Sequence, residues 1–241
     1  MPEDVSDWPG GDRRTPSLVH PARLTLRPLS LAMQRAIARD VAPAGTRQSV
    51  LDVGCGDKPY LPYFHGVANE YVGLDVHPGP HTDVVGAAES LPFEDNSFDV
   101  VISTQMLEHV PDPPRVVREA HRVLRPDGVL LLSTHGTTIY HPYPTDFWRW
   151  TQEGLVKLLG DNGEWSYVHL EGAGGTMACF GYLVGFYVGV MTRPRRLKPV
   201  GHVLLAAINT VFAALDRVVP MHFPKPWTLI SNFFVVARKQ P

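Results

Sequence analysis

The stretch VLDVGCGDKPY, residues 50–60, sets Gly54 and Gly56 just after a short apolar run and places an acid, Asp52, before them. A strand leading into such a turn is a seat for a nucleoside. An acid about 20 residues further on can then accept hydrogen bonds from both ribose hydroxyls. Asp75 stands 21 residues after Gly54. A pyrophosphate needs successive glycines at a helix N-terminus, where backbone N–H groups converge on it. Asp57 and Pro59 stand where those contacts would form, and Pro59 takes the place of the third glycine of a dinucleotide turn. Asp52 is expected to point into the same crevice, where it would repel phosphate and attract a cationic amino group.

A ligand with a ribose, an ammonium group and no phosphate fits S-adenosylmethionine better than NAD. The chemistry to be done on it is sought beyond the carboxyl ends of the strands, where open α/β sheets hold ligands. His109 and His135 fall there, each after a strand, and are the candidate bases. Methyl transfer to an oxygen needs the hydroxyl proton removed, and a histidine titrating near neutrality is the ordinary base for that. A loop histidine hydrogen-bonded to backbone is the plain alternative for each. Further on, Asp146 is placed to hold His141 or to cap a turn, and Tyr140, Tyr143, Phe147, Trp148 and Trp150 form an aromatic group expected to lid the substrate side.

These residues must be positioned by strands and helices in alternation. Residues 48–53 read as a buried strand, EYVGLDVHPG as a second strand ending at Asp75, TDVVG as a short third, SFDVVISTQ as a fourth and RPDGVLLLSTHG as a fifth. The unbroken apolar run at Val100, Val101 and Ile102 suits the interior of a parallel sheet. Between the last two lies the helix DPPRVVREAHRVL, with Asp112 as N-cap and prolines in its first turn. TQEGLVKLLGDNG is a second capped helix, EWSYVHLEG a strand, and TLISNFFVVARK a closing strand, expected to be antiparallel. Upstream, residues 27–40 read as a helix with Ser30 as N-cap. The sum is an α/β, Rossmann-like doubly wound sheet of about seven strands, mostly parallel, with helices on both faces.

Five motifs in order, VLDVGCG, YVGLDV, ESLPFEDNSFDVVIS, MLEHVPDP and REAHRVLRPDGVLLLS, make residues 48–135 resemble the class I S-adenosylmethionine-dependent methyltransferases, in particular the group that includes ubiquinone-biosynthesis methyltransferases. The resemblance implies a cofactor site of Asp52, Gly54, Cys55 and Gly56 around the methionine part, Asp75 and Val76 at the ribose, and Ala88, Glu89, Leu91 and Gln105 about the rest of the ligand. It departs from the family at Lys58, where the third glycine falls, and at Ala87, where an adenine-binding Asp often stands. Some relatives bind a divalent ion through an E-x-x-E-H pattern and a later His. Here Gln105 replaces the first acid, leaving Glu108, His109 and His135, so no metal is expected. The expected activity is methyl transfer to a small-molecule hydroxyl, on a lipid-linked or glycan acceptor. The alternative is a non-catalytic module that keeps the cofactor pocket as a scaffold.

Composition agrees. The chain has 241 residues, 44% of them hydrophobic, enough for one domain with an embellishment. A net charge of −2 gives no footprint for nucleic acid. Cys55 and Cys179 make no disulfide framework, which points to a reducing cytosol. Residues 1–20, polar and rich in Pro, Gly and Asp, read as a flexible tail before a domain at 21–241. Residues 173–191 carry no charge and have Gly181, Gly185 and Gly189 at four-residue spacing. The basic run Arg193, Arg195, Arg196 and Lys198 follows, and then the apolar segment 200–219. Residues 173–219 are expected to be a helical hairpin inserted before the last strand, covering the active site and touching a membrane rather than spanning it.

Overall fold

The computed structural model describes residues 7–44, 47–142, 144–219 and 221–241. A short helix α1 (Gly11–Arg14) and a longer α2 (Arg23–Ala36) precede the sheet. Then follow β1 (Gln48–Val53), β2 (Ala68–Asp75), β3 (Val84–Val85), β4 (Phe98–Thr104), α3 (Pro113–Val123), β5 (Leu124–His135), α4 (Gln152–Asp161), β6 (Trp165–Gly172), α5 (Thr176–Met191), α6 (Lys198–Val218) and β7 (Asn232–Lys239). The strands form one seven-stranded sheet in the order β3-β2-β1-β4-β5-β7-β6. All the pairs among β1 to β5 are parallel, and β7 runs antiparallel to both β5 and β6. The strand order reverses between β1 and β4, which opens a crevice at their carboxyl ends.

Alternation along β1 explains the layering. Val50 packs with Val100, Ile102, Leu131 and Phe234 against Leu29, Met33 and Ala36 of α2 and against Phe64. Leu51 and Val53 turn to the other face and pack with Val101, Leu130 and Val235 under Val116, Val117 and Ala120 of α3 and Leu155 and Leu159 of α4. Asp112 caps α3 by accepting from the Arg115 N–H at 3.1 Å, and Thr151 caps α4 by accepting from the Gly154 N–H at 3.1 Å.

Two expectations fail upstream of the sheet. Residues 7–20 do not describe a flexible tail. Arg14 is buried and donates to the carbonyl oxygens of Pro9, Pro59 and Trp8 at 2.7, 2.6 and 2.8 Å, while the Trp8 indole N–H donates to Lys58 O at 2.9 Å. This segment is strapped onto the glycine turn by Trp8 and Arg14. Ser30 is not an N-cap either: α2 starts at Arg23, and the buried Ser30 hydroxyl donates to Arg14 O at 2.7 Å. Pro28, a residue that normally marks a helix's first turn, lies five residues inside.

α5 and α6 lie in the chain between β6 and β7 and pack on each other. The glycine stripe of α5 is used inside the chain. A methyl group at Gly181 would overlap Leu24 and Phe212, and one at Gly185 would touch Pro21 and Leu205. The small residues therefore let α5 approach α6 and the start of α2 closely.

Candidate active site

β1 ends in a turn whose shape requires glycine at one point above all. Gly54 has φ 72°, and a Cβ there would lie 2.9 Å from Met106 Cβ. The N–H groups of Gly54 and Cys55 donate to Leu74 O at 2.8 and 3.1 Å, which ties the turn to the end of β2. Gly56 N–H donates to Asp75 Oδ2 at 3.0 Å, and His77 N–H donates to Asp75 Oδ1 at 3.0 Å. The acid and the turn that the spacing paired are thus joined directly. Lys58, where the family's third glycine falls, adopts φ 50°, so the backbone keeps a left-handed bend there without glycine. Its ammonium pairs with Asp83, whose Oδ2 also accepts from Gly73 N–H at 2.7 Å.

A cavity of about 700 Å³ opens beside this turn, in the range of small-ligand sites. Of the sequence-derived cofactor residues, Gly54, Asp75, Val76, Ala88, Glu89 and Gln105 line it. Cys55 and Leu91 are buried beside it rather than on its wall, and Gly56 acts through its bond to Asp75. Gln105 is held with φ 54° and donates from Nε2 to Ser133 Oγ at 3.2 Å.

Asp52 departs from expectation. It does not point into the crevice but lies beneath it, 1% exposed, accepting from Tyr71 O–H at 2.7 Å, with Oδ1 buried and unpartnered. Burial pushes its pKa up to about 7. The pleat of β1 sends the residue toward the layer that holds Tyr71, and only its field reaches the cavity.

The wall of the same cavity also gathers three histidines. His109, His135 and His141 all line it, the His141 ring centroid lying 4.9 Å from that of His109 and 4.8 Å from that of His135. His135 follows β5, and its Nδ1 sits 3.3 Å from Glu108 Oε1, both atoms buried and without an aligned hydrogen-bond partner. Glu108 Oε2 accepts from Thr134 O–H at 2.8 Å. Burial pushes the His135 pKa down to about 3 and the Glu108 carboxyl up, each toward its neutral form. His109 is fixed by its Nδ1 against Thr145 O and by the Thr145 hydroxyl, which donates to His109 O at 2.9 Å. Asp146 accepts from His141 N–H at 3.0 Å and from Arg149 Nη2 at 2.6 Å, and the guanidinium holds its carboxyl far below the usual range. Ligand atoms of Glu108, His135 and His141 lie within 4.8 Å of one another, a constellation that sequence spacing did not pick out because His141 arrives from a loop.

The aromatic lid is not where it was expected. Among the described residues, Tyr140, Phe147, Trp148 and Trp150 are absent from the cavity wall, and Tyr143 lies outside the described residues. Trp148 donates from its indole to Val110 O at 2.8 Å and stacks on Trp150 at 5.8 Å. The aromatic wall comes instead from Tyr182 and Phe186 of α5, the Tyr182 hydroxyl lying 3.0 Å from that of Thr138. Sequence reasoning also missed Asp12, Arg13 and His20, carried over the cavity by the N-terminal segment, and Asn232 at the start of β7, whose buried Oδ1 has no partner. A Trp and several arginines within an otherwise polar stretch were the only signal of the former.

Residues 51–132 match the family described as Methyltransferase domain. The chain is 41% identical over 106 residues to an uncharacterized methyltransferase of Mycobacterium sp. strain KMS, covering 40% of this chain and 41% of that protein. It is 32% identical over 118 residues to a protein of Mycobacterium tuberculosis named a probable S-adenosylmethionine-dependent methyltransferase, covering 45% and 43%. The chain thus spans about two fifths of the length of these curated relatives. Among solved structures, the fold resembles the Burkholderia thailandensis 1,6-didemethyltoxoflavin N1-methyltransferase with bound S-adenosylhomocysteine, at TM-score 0.54 and 17% identity, over 87% of this chain and 79% of that one. That likeness concerns the fold alone.

Proposed function

We infer, from the match of residues 51–132 to the family described as Methyltransferase domain, that this chain moves a methyl group from S-adenosylmethionine to a hydroxyl of a small molecule. One observation carries the reading: a single cavity of about 700 Å³ has the turn-bound carboxylate of Asp75 and the side chains of His109, His135 and His141 all on its wall. The residues present fit the cofactor. Asp75 faces the cavity with lone pairs beyond those used by Gly56 and His77, and the unpartnered Oδ1 of Asn232 adds an acceptor for a hydroxyl or ammonium.

In this reading Asp75 accepts from the ribose hydroxyls, Val76 flanks the sugar, and Ala88 and Glu89 border the base. S-adenosylmethionine supplies a methyl group already activated on a sulfonium sulfur, so positioning and proton removal are what the protein must add. His135 is the base. Burial keeps its imidazole neutral, and a pKa lowered to about 3 makes it a weaker base than the near-neutral histidine expected from the sequence. Glu108 packs beside the ring, its Oε1 3.3 Å from Nδ1. As the acceptor oxygen gains its methyl group and loses its proton to His135, the pocket gains one positive charge on the ring and loses one on the ligand. Its net charge stays constant through the step. His109 and His141 frame the acceptor, which on this reading is a lipid-linked or glycan alcohol used in a reducing, cytosolic compartment.

The test is calorimetry with S-adenosylmethionine, S-adenosylhomocysteine and NAD, followed by a metabolite screen with a labelled methyl donor. Binding of the first two and not NAD, with label entering an alkali-stable ether, supports the reading. Cofactor binding with no label transferred to any acceptor class favours the scaffold alternative.

A further inference from the structure

The α5–α6 hairpin leaves a large apolar face uncovered. α6 is tied to the protein along one stripe, Gly201, Leu205 and Asn209, all buried. Asn209 Nδ2 donates to the carbonyl oxygens of Leu18 and His20 at 2.7 and 3.1 Å, and Asp216 accepts from the N–H groups of Gly175 and Ala178 at 3.0 Å each. The opposite side exposes Val200, Val203, Leu204, Val211, Leu215 and Val218. At helical spacing these fall within one arc of about 120° that holds no charge. α5 continues the face with Phe180, Val184, Tyr187 and Met191, all exposed.

Charge is distributed with the same asymmetry. Arg193, Arg195, Arg196 and Lys198, all exposed, crowd into the connection between the two helices. No acidic residue occurs from position 173 to 215. Apolar flanks with cations gathered at one end match a bilayer surface, where acyl chains take up the first and anionic headgroups the second.

We propose that the α5–α6 hairpin is the seat of this chain on anionic lipid, lying in the headgroup region with the Val203–Leu204–Val211 side down. α6 has the length of a membrane span, 21 residues. Its amide and carboxylate bonds to the N-terminal segment and to α5 hold one side against protein, so it lies at the interface. Tyr182 and Phe186, on the inner side of α5, line the cavity. The seat therefore sets the cavity beside the headgroups, where an amphipathic acceptor would be drawn from the bilayer. That last step alone rests on the methyl-transfer reading; lipid binding is measured without any substrate.

The experiment is sedimentation of the purified full chain with vesicles of phosphatidylcholine mixed with phosphatidylglycerol, and of phosphatidylcholine alone, at low and high salt. Sedimentation velocity on the free protein accompanies it. The expected result is binding to the mixed vesicles that high salt weakens without abolishing, since screening removes the ionic part only. Arg193→Ala/Arg195→Ala/Arg196→Ala should weaken binding by about a hundredfold, at about fivefold per cation, with an unchanged melting temperature. Val203→Asp/Val211→Asp should reduce binding to mixed vesicles more than about tenfold. Val203 and Val211 are 71% and 52% exposed, and an unchanged melting temperature serves as the check that this variant folds. Three outcomes overturn the proposal. The wild type could ignore mixed vesicles at low salt, or both variants could bind like the wild type. Otherwise, a wild-type dimer that Val203→Asp/Val211→Asp splits would assign the face to a second copy.

Discussion

Replacing Asp75 by Ala probes the cofactor reading at its narrowest point. Asp75 does two jobs. Its carboxylate accepts from Gly56 N–H and His77 N–H, each at 3.0 Å, and its remaining lone pairs face the cavity. The first job is cheap to lose: Gly56 and His77 are exposed, so water takes over as acceptor, and folding stability should fall by no more than about 1 kcal/mol. The second job is not. Hydrogen bonds from ribose hydroxyls to a charged acceptor contribute about 1.5–3 kcal/mol, and no water can reproduce their geometry once ligand fills the site. Asp75→Ala should therefore raise the dissociation constant for S-adenosylhomocysteine by about 10- to 150-fold while moving the melting temperature little. Calorimetry with a parallel thermal melt reads both quantities. A folded variant with wild-type affinity would show that Asp75 serves only the turn, and the ribose assignment would fall with it.

His135→Gln should lower the single-turnover methyl-transfer rate by about 10²- to 10⁴-fold with cofactor affinity unchanged, since in this reading the residue serves the acceptor; a wild-type rate would remove it as the base. Asp52 titrates near 7 in the fold against an ordinary carboxyl value when unfolded, so the folded state binds its proton more tightly, and its contribution is intact at low pH and lost as pH rises through about 7. Asp52→Asn, which keeps an acceptor for the Tyr71 hydroxyl, should accordingly gain on the wild type by up to about 4 kcal/mol between pH 4 and pH 8; denaturant melts across that range that run parallel for the two proteins would contradict this. Gly54→Ala meets both a left-handed backbone and Met106, and should cost about 2–4 kcal/mol in a denaturant titration, whereas a loss under about 1 kcal/mol would mean that the turn can relax.

The parts of this structure that sequence disclosed are those written in local chemistry. Val100–Ile102 announced an interior strand, Asp112 and Thr151 announced helix starts, and the spacing paired the glycine turn with Asp75, which proved to accept a hydrogen bond from Gly56 N–H. The errors arose where a residue's role depends on something distant. Arg14 and Trp8 look like loop residues until the carbonyls of Lys58 and Pro59, more than 40 positions away, are brought against them. Asp52 lies on a strand, and alternation says that it faces one layer without saying which; Tyr71 decided it. The aromatics at 140–150 were chosen for being numerous, yet packing directs Trp148 to a backbone carbonyl, and the cavity wall is drawn from a helix some 35 residues later. His141 joins His109 and His135 only because Asp146 and Arg149 fix the loop that carries it.

The position of β7 has a consequence for how the molecule is made. This strand lies between β5 and β6 in space, yet in the chain it comes after both, with the whole hairpin in between. Until residues 232–239 are available, β5 offers an unpaired edge from Val129 to His135, and β6 has no neighbour among the strands described. A nascent chain that has emerged only as far as α6 therefore holds a five-stranded half-sheet, a stray strand and an apolar helix pair at once, the combination most prone to wrong pairing. Closure is a late, long-range event in which Phe234, Val235 and Val236 fill a slot prepared on both sides. Yield on expression should hence respond more sharply to changes in residues 232–237 than to changes anywhere in the cofactor turn.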